Sequence, residues 1–353
     1  MRSSYRPEDV TILLKDITGM VEPLPAEKRE VLIQSGTHYC EMLPLEYKPG
    51  EAYFSLYKEA LSNYAAITGE SAARVAEKIK KRINGDIVLV SLARAGIPVG
   101  ILIKRYLNIK YPSLKVFHYT ISIIRGKGID RNAMRYILDR HSPDSLCFVD
   151  GWTGKGAILD TLKKELSEYD GVSDCLAVLA DPAHITELYG TRSDFLIPSS
   201  CLNSTVSGLM SRTFLRSDII GENDFHGAAY YGELQNEDRS YEFIDTVLES
   251  IDYSKEYTED DDVCCDGIRG IDEVRLIQKK FDISDINFIK PGIGETTRVL
   301  LRRIPWKILV SDMNDKKYLA HIFRLAQEKN IQVIVFPMKC YRACGIIKDM
   351  ADT

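Results

Sequence analysis

A single carboxylate followed by a run of small residues is the clearest chemical signal in this chain. Asp150 follows the apolar run Leu146 to Val149, and the loop Gly151 to Gly156 comes next, before the amphipathic stretch AILDTLKKEL. This order predicts a buried strand, a tight loop and then a helix. Backbone N–H groups at a helix N-terminus point outward, and the helix dipole favours an anion there. The stretch therefore predicts a site for a phosphorylated ligand; the alternative is an ordinary strand-loop-helix turn.

Two other loops place basic side chains beside glycine. Arg94 stands in SLARAGIPVG, and Arg125 and Lys127 stand in SIIRGKGIDRN. A guanidinium offers fixed donors to phosphate oxygens, and glycine lets the backbone approach a ligand closely. We expect both loops to neutralise an anion. The alternatives are a common helix entry for the first loop and a solvated basic turn for the second.

Elements that would position these loops begin at Asp86, where strand and helix patterns start to alternate. DIVLVSL, LKVFHYTISII, SLCFVD and CLAVLAD have the character of strands, and each precedes a helical pattern, the fourth near HITELYG. Such alternation predicts an α/β fold with a parallel sheet covered by helices on both faces. Ligands of these sheets lie at the carboxyl ends of the strands, where all three loops fall.

Composition limits the class of protein. With 353 residues, of which 45% are hydrophobic, the chain can form two or three domains with packed cores. No apolar run approaches the ~20 residues of a membrane span, so we expect a cytoplasmic protein without a membrane partner. The eight cysteines are scattered through apolar segments, which favours buried, reduced thiols. Residues 287–353 hold 12 Lys/Arg against 6 Asp/Glu in a chain of net charge −5, which predicts an anionic partner for this end.

Taken together, the three loops resemble the signature of type I phosphoribosyltransferases, which bind phosphoribosyl pyrophosphate. The resemblance implies that Asp150 holds the ribose and that the loop after it holds the 5′-phosphate, while Gly151 stands where the family has a second acid. It also implies Mg²⁺, carried by the pyrophosphate and contacted by Asp150 only indirectly. The implied phosphoribosyl pyrophosphate-binding residues are Arg94, Ala95, Gly96, Asp150, Gly151, Thr153, Gly154, Lys155, Gly156 and Ala157. The implied catalytic residues are Asp150, Arg94, Arg125 and Lys127.

The reaction implied by this resemblance is transfer of ribose 5-phosphate to a nucleobase-like acceptor through an oxocarbenium-like transition state. Preorganised donors would stabilise the leaving pyrophosphate, each contributing ~3 kcal/mol. The irregular segment 199–245 is expected to cover the sheet and to line an acceptor pocket with Ser207, Arg212, His226 and Tyr230.

The same segment leaves a hydrolase open as an alternative. Cys201 lies near Asn203 and upstream of Asp224 and His226, and a thiol and an imidazole can act as nucleophile and base. No oxyanion motif surrounds Cys201, so a buried structural thiol is the favoured interpretation.

A further motif lies near the C-terminus, in PGIGETTRVLLRR. Gly294, Glu295, Thr296, Thr297 and Arg298 resemble the helix start of the RNA-binding fold that pelota shares with kink-turn-binding ribosomal proteins. The resemblance implies that this helix start contacts RNA, with Glu295 accepting from base amino groups and Arg298 reaching phosphate. The alternative is a well-capped helix with a solvated basic face.

The order of these parts resembles one bacterial family as a whole. It is the phosphoribosyltransferase-like family of tellurite-resistance and stress gene clusters, often labelled cysteine protease StiP, with a C-terminal pelota-like domain. We therefore predict a phosphoribosyltransferase-like domain with its hood in residues 1–255, an acidic linker in 256–270 and a pelota-like domain in 271–353. The predicted function is an Mg²⁺-dependent phosphoribosyltransferase with an RNA-binding appendage; the alternatives are a non-catalytic, nucleotide-sensing RNA-binding protein and a Cys-His hydrolase. A homodimer is one of the oligomeric states left open.

Overall fold

The computed structural model describes residues 1–258 and 267–348. The helices are α1 (Ala26–Gln34), α2 (Glu51–Arg82), α3 (Gly96–Lys110), α4 (Arg131–Leu138), α5 (Ala157–Leu166), α6 (Ser240–Glu249), α7 (Gly270–Lys280), α8 (Ile293–Arg302) and α9 (Lys316–Glu328). The strands are β1 (Thr11–Ile12), β2 (Lys15–Asp16), β3 (Ile87–Leu92), β4 (Val116–Ile121), β5 (Ile123–Ile124), β6 (Gly128–Ile129), β7 (Leu146–Trp152), β8 (Leu176–Ala180), β9 (Leu188–Thr191), β10 (Gly227–Ala228), β11 (Ile289–Pro291), β12 (Pro305–Val310), β13 (Val333–Val335) and β14 (Ala343–Ile347). The described residues include no helix long and apolar enough to cross a membrane.

A six-stranded sheet in the order β1-β4-β3-β7-β8-β9 forms the centre of the larger unit, and every pairing in it is parallel. All six residues of β3 are buried because both faces of the sheet are covered. Leu89 packs on the face covered by α2, α3 and α6, and its neighbour Val90 packs on the face covered by α4 and α5. The predicted α/β class with a parallel central sheet is confirmed.

The fourth strand-helix unit differs from the prediction. The helix expected near HITELYG is absent, because the carboxylate of Asp181 accepts the N–H groups of Ile185 and Thr186 and closes a turn. The chain then re-enters the sheet as β9, which the long helix α2 covers in place of the expected helix. The prediction of a helix at this position is therefore wrong.

The described residues from 267 onward form a second α/β unit. Its sheet has the order β11-β14-β12-β13, with α7 packed on one face and α8 and α9 on the other. The face beneath α8 and α9 joins the same apolar core as α2 and α3. Most of the predicted acidic linker, residues 259–266, lies outside the described residues.

Polar contacts fix the two units to each other at the start of α8. The carboxylate of Asp194 accepts the backbone N–H of Ile293 at 2.9 Å and that of Arg342 at 2.9 Å. Nearby, the hydroxyl of Tyr64 on α2 donates to the carbonyl of Lys317 at 2.9 Å. The carboxyl ends of the large sheet thereby face the N-terminal half of α8.

Candidate functional site

The loops after β3, β4 and β7 line one cavity of about 650 Å³, which we call the loop cavity. Ala95, Arg125 and Asp150 represent the three loops in its wall. The opposite wall comes from the second unit, where β11 and α8 contribute Lys290 and Arg298. The predicted edge of the sheet is thus covered by the unit that carries the predicted RNA-contact helix.

The loop after β7 presents free backbone donors to the loop cavity. Gly156 has φ +97°, which allows the sharp turn into α5, and the N–H groups of residues 154–156 make no hydrogen bond to any described residue. Lys155 lines the cavity and donates from Nζ to the carbonyl of Ile286 at 2.7 Å. The hydroxyl of Thr153 is held by the carboxylate of Asp181, so this side chain supports the loop from behind.

Asp150 lies at the end of β7 and lines the loop cavity. Burial raises the pKa of its carboxyl to about 7, although the N–H of Gly151, which donates to it at 2.8 Å, and the nearby charge of Arg298 lower it. The carboxyl group therefore titrates near neutral pH, and this sets the charge of the cavity floor.

The loop after β3 is held close to β7. A Cβ atom at Gly96 would lie 2.3 Å from the carbonyl oxygen of Val149, so only glycine fits there. The peptide bond between Ala93 and Arg94 is cis, and the Arg94 guanidinium donates to the carbonyl of Met210 at 2.6 Å. Arg94 lines an adjoining cavity, whereas Ala95 lines the loop cavity.

Of the two basic residues predicted to act after β4, one lines the loop cavity and the other does not. Arg125 lines the loop cavity, with its guanidinium donating to the Oδ1 atom of Asn287 at 2.9 Å. Lys127 is exposed, lines neither cavity and lies 3.9 Å from Glu41. The reason is the short hairpin β5-β6, which turns Lys127 away from the cavity.

Only one of the four predicted acceptor-pocket residues reaches the cavity. Arg212 lines it, but the hydroxyl of buried Ser207 donates to the carbonyl of Asn203. The His226 ring contacts Ser122, and the Tyr230 ring lies under the guanidinium of Arg2. The four residues do not form one pocket.

The predicted RNA-contact residues divide in a similar way. Glu295 and Arg298 line the loop cavity and pair with each other at 3.1 Å. The side chains of Thr296 and Thr297 are buried, and the Thr297 hydroxyl contacts His321. Gly294 faces Ser200 and Trp152 of the larger unit. Both threonine side chains face the interior of their own unit, where the Thr296 hydroxyl donates to the carbonyl of Lys290 and the Thr297 hydroxyl donates to that of Ile293.

A second cavity of about 640 Å³, the outer cavity, adjoins the loop cavity and shares Arg212, Lys290, Glu295 and Arg298 with it. Of the described residues, ten basic and four acidic ones line the two cavities. The basic residues are Arg29, Lys48, Arg94, Arg125, Lys155, Arg212, Lys290, Arg298, Arg302 and Arg303. The acidic residues are Glu46, Asp150, Asp285 and Glu295. The two cavities therefore form a strongly basic region between the units.

Burial, together with the excess of positive charge, lowers the pKa of several basic groups in this region. Burial and the neighbouring Lys290 and Arg125 lower the pKa of Lys155 to about 8. Burial together with nearby arginines likewise lowers the pKa of Arg212 and that of Arg302 to about 10. Mutual repulsion of this kind is relieved when an anion binds.

Two cations in this region have no direct hydrogen-bond or ion-pair partner among the described residues. Within residues 1–258 and 267–348, neither the Arg212 guanidinium nor the Lys290 ammonium makes a hydrogen bond or an ion pair. Four further basic residues of the site were not predicted from the sequence: Arg29, Lys290, Arg302 and Arg303. The charge of Lys290, Arg302 and Arg303 was visible in the basic C-terminal region, whereas no sequence pattern marked Arg29. No local motif indicated that these residues lie near the loop after β7.

The structure does not bring together the residues of the predicted hydrolase. Cys201 is buried, burial raises the pKa of its thiol to about 12, and its carbonyl accepts from Arg302. His226 lies against Ser122, while Asp224 pairs with Lys15. Cys201, His226 and Asp224 therefore belong to three different polar contacts.

A different cysteine lies beside a histidine. The Sγ atom of Cys40 is 2.9 Å from Nδ1 of His38, and Nε2 of the same ring is 3.1 Å from the carbonyl oxygen of Arg125. Cys40 is buried, and burial raises the pKa of its thiol to about 11. The described residues include no cluster of three or more His, Cys, Asp or Glu side chains that could hold a metal.

Comparison with protein families assigns both units. Residues 3–248 match the family described as tellurite-like stress resistance cysteine protease StiP. The chain belongs to this family. Residues 268–349 match the PELOTA RNA binding domain. A relative from Acinetobacter baylyi (strain ATCC 33305 / BD413 / ADP1), named cysteine protease StiP, is 35% identical over 98% of this chain and 94% of its own length.

Solved structures with local similarity include a hypoxanthine-guanine phosphoribosyltransferase and a hypoxanthine phosphoribosyltransferase. One from Bacillus anthracis is 16% identical, covers 33% of this chain and 68% of its own, and has a TM-score of 0.25. Another, from Trypanosoma cruzi in complex with IMP, is 16% identical, covers 36% and 67%, and has a TM-score of 0.27. Similarity at this level carries no functional argument.

These comparisons correct the predicted activity. The family description and the name of the relative are those of a cysteine protease, so the prediction of an Mg²⁺-dependent phosphoribosyltransferase is wrong. The associated predictions of phosphoribosyl pyrophosphate and a nucleobase-like acceptor as partners have no support from them. The predicted membership of the family and the predicted pelota-like domain are confirmed.

Proposed function

We propose that this protein is an RNA-binding protein that holds a phosphorylated nucleotide in the loop cavity between its two units. One observation carries the proposal: Arg212 and Lys290 line this cavity without a hydrogen bond or ion pair to any described residue. Half-buried cations that the protein leaves unbalanced favour a ligand that brings the missing negative charge.

Chemical features of the cavity wall select phosphate among anions. Free N–H groups at the start of α5 favour a tetrahedral oxyanion, and the dipole of the helix adds to the attraction. Lys155 lies in the same loop, and the guanidinium of Arg125 reaches the cavity from the β5-β6 hairpin. A volume of about 650 Å³ lies within the range of roughly 300–1,000 Å³ that is typical of small-molecule sites.

Support for RNA comes from the second unit. Its match to the PELOTA RNA binding domain covers residues 268–349, and its α8 presents Glu295 and Arg298 to the same cavity. Arg298 can contact phosphate, while Glu295 can accept from an exposed base amino group. The nucleotide and the RNA would thus bind on neighbouring surfaces.

Calorimetric titration of the full chain with a nucleoside 5′-monophosphate tests the proposal. We expect binding that weakens at least about tenfold in Lys155→Ala, because a charge-assisted hydrogen bond to phosphate is lost. Lys163→Ala is the matched control, because Lys163 is exposed on α5 and lines neither cavity. Absence of binding, or equal loss in both variants, would contradict the proposal.

A cysteine peptidase is the second candidate, favoured by the 2.9 Å contact between Cys40 and His38 and by the family description. The imidazole could accept the thiol proton, and the carbonyl of Arg125 would orient the ring through Nε2. Because the thiol is buried and its pKa is raised to about 11, catalysis requires a rearrangement that exposes Cys40.

Hydrolysis of a fluorogenic peptide library by the full chain tests this candidate. We expect Cys40→Ala and His38→Ala to abolish any cleavage, whereas Cys175→Ala, at a half-buried cysteine outside the region, leaves it unchanged. Cleavage that persists in Cys40→Ala but disappears in Cys201→Ala would assign the nucleophile to Cys201 instead. No cleavage by the unmodified chain would remove the candidate.

A further inference from the structure

The loop cavity and the outer cavity adjoin each other, and we call the two together the groove. They share the side chains of Arg212, Lys290 and Arg298 as common walls. Each cavity alone, at about 650 and 640 Å³, has the size of a complete small-molecule site. A single mononucleotide would therefore leave much of the groove empty.

Basic residues continue along the groove beyond the loop that follows β7. Lys155 and Arg125 lie in the loop cavity, Arg212 and Lys290 lie where the cavities meet, and Arg302 lies in the outer cavity. A row of cations matches the repeated negative charge of a nucleic-acid backbone better than it matches one phosphate group.

Aromatic side chains stand among these cations. Trp152 lines the loop cavity, and the Arg298 guanidinium lies 5.8 Å from the centre of its ring. Tyr47 lines the outer cavity and is 64% exposed. Tyr47 is thus an exposed ring, and Trp152 is a half-buried ring that reaches the cavity wall. Aromatic rings beside a basic groove let single-stranded nucleic acids stack their bases.

We infer that the groove binds one single-stranded RNA segment, whose terminal phosphate lies against the loop after β7 and whose following nucleotides extend through the outer cavity to Tyr47. This inference rests on the proposed function and goes beyond it, because it makes the phosphorylated nucleotide the end of the RNA strand. Single-stranded rather than duplex RNA fits, because the bases must be unpaired to stack on Trp152 and Tyr47.

Length dependence of binding tests the inference on the full chain. The probes are adenosine 5′-monophosphate and oligoadenylates of two, four and six nucleotides with a 5′-phosphate, a 3′-phosphate or two hydroxyl ends. We expect the hexamer with a terminal phosphate to bind at least about tenfold more tightly than the monophosphate, because each stacked base adds to the affinity. The two phosphorylated hexamers distinguish which end of the strand occupies the loop.

Variants separate the two parts of the groove. We expect Tyr47→Ala to weaken hexamer binding about tenfold and monophosphate binding less than twofold, while Tyr47→Phe keeps both affinities. Lys290→Gln should weaken both ligands and reduce the salt slope of hexamer binding by about 0.7. Because Tyr47 is exposed and Lys290 makes no hydrogen bond, neither variant threatens folding.

Three results would overturn the inference in different ways. Suppose that all lengths bind with equal affinity and that monophosphate binding depends on Lys155 and not on Tyr47. This result would support the proposed nucleotide site and contradict the binding of an RNA strand along the groove. Binding of duplex RNA in preference to every single-stranded probe would also contradict it. If neither the monophosphate nor the oligonucleotides bind, the proposed function fails together with the inference.

Discussion

Two polar regions of this molecule are built from similar residues and differ in their balance of charge. In the first, Arg105 contacts Asp9 at 2.7 Å and Asp245 at 2.9 Å, and the hydroxyl of Tyr241 donates to Asp9. In the second, the groove, ten basic side chains face four acidic ones. The first region stabilises the fold with its own counter-charges, whereas the second requires them from a ligand.

Shifts in pKa run in opposite directions in these two regions. Burial acts to raise the pKa of Asp9, but hydrogen bonds from Arg105 and Tyr241 outweigh it and lower that pKa, while the contact with Asp9 raises the pKa of Arg105. In the groove, burial and like charge lower the pKa of Lys155 and of Arg212. Paired opposite charges stabilise each other's ionised form, whereas neighbouring like charges destabilise it. The contrast separates a structural cluster from a binding surface.

Removal of Arg105, whose charge is balanced by Asp9 and Asp245, should have the largest effect on stability. Arg105→Ala leaves the nearly buried carboxylate of Asp9 without its guanidinium, and we expect unfolding free energy to fall by about 3 kcal/mol. Chemical denaturation monitored by circular dichroism measures this. Arg82→Ala, which breaks an exposed pair with Glu187, is the control and should change stability by less than about 1 kcal/mol. Equal losses in the two variants would refute the distinction between balanced and exposed pairs.

Removal of Lys290, a groove cation without an ion-pair partner among the described residues, should weaken ligand binding without loss of stability. Lys290→Gln relieves repulsion inside the groove, so we expect unfolding free energy to stay the same or to rise by up to about 1 kcal/mol. Binding of a nucleoside monophosphate should weaken about tenfold, because one charge-assisted contact is lost. Denaturation and calorimetry on the same preparation measure both quantities. A clear loss of stability would show that Lys290 supports the fold.

Ligand affinity should also depend on pH. Lys155, with a pKa of about 8, carries its charge below that pH and loses it above, while Asp150, with a pKa of about 7, becomes negative in the same cavity. Both changes disfavour an anion, so affinity should fall several-fold between pH 7 and pH 9. The second ionisation of phosphate near pH 6 is complete over this range, so the ligand keeps its charge. Calorimetry across the range should show a flatter profile for Lys155→Arg. An unchanged profile would mean that Lys155 is not the titrating contact.

The smallest effect is expected at Lys127, which belongs to neither region. It is exposed and lines neither cavity, so Lys127→Ala should change nucleotide affinity by less than about twofold. Arg125→Gln, two residues earlier in the same loop, should weaken binding several-fold because its guanidinium lines the loop cavity. Titration of both variants compares them directly. A larger loss in Lys127→Ala would mean that the hairpin turns over in the bound state.

Sequence periodicity was enough to predict the parallel sheet, because the strands are buried on both faces and therefore consist of continuous apolar runs such as IVLVSL in β3. It did not predict the long helix α2, whose small residues Ala72, Ala73 and Ala76 give little contrast between its buried face and the rest. The turn that replaces a helix before β9 depends on one buried carboxylate, Asp181, whose partners lie several residues away.

For the site, local motifs predicted the loop after β7 and the helix start at Glu295 and Arg298, because each depends on residues adjacent in sequence. The meeting of these two segments could not be predicted, since it depends on contacts between distant parts of the chain such as that of Asp194 with Ile293. Lys290 and Arg302 become site residues only through that docking. The sequence motifs alone also favoured an activity that the comparisons contradict.

The contact made by Asp194 affects whether the two units can evolve separately. The Asp194 carboxylate accepts the first backbone N–H of α8, so the helix that faces the groove is capped by a residue of the other unit. Recombination that transfers the C-terminal unit alone to another protein would leave this helix start without its cap. The two units are therefore expected to diverge as a pair in evolution, with changes at the start of α8 matched by changes around Asp194.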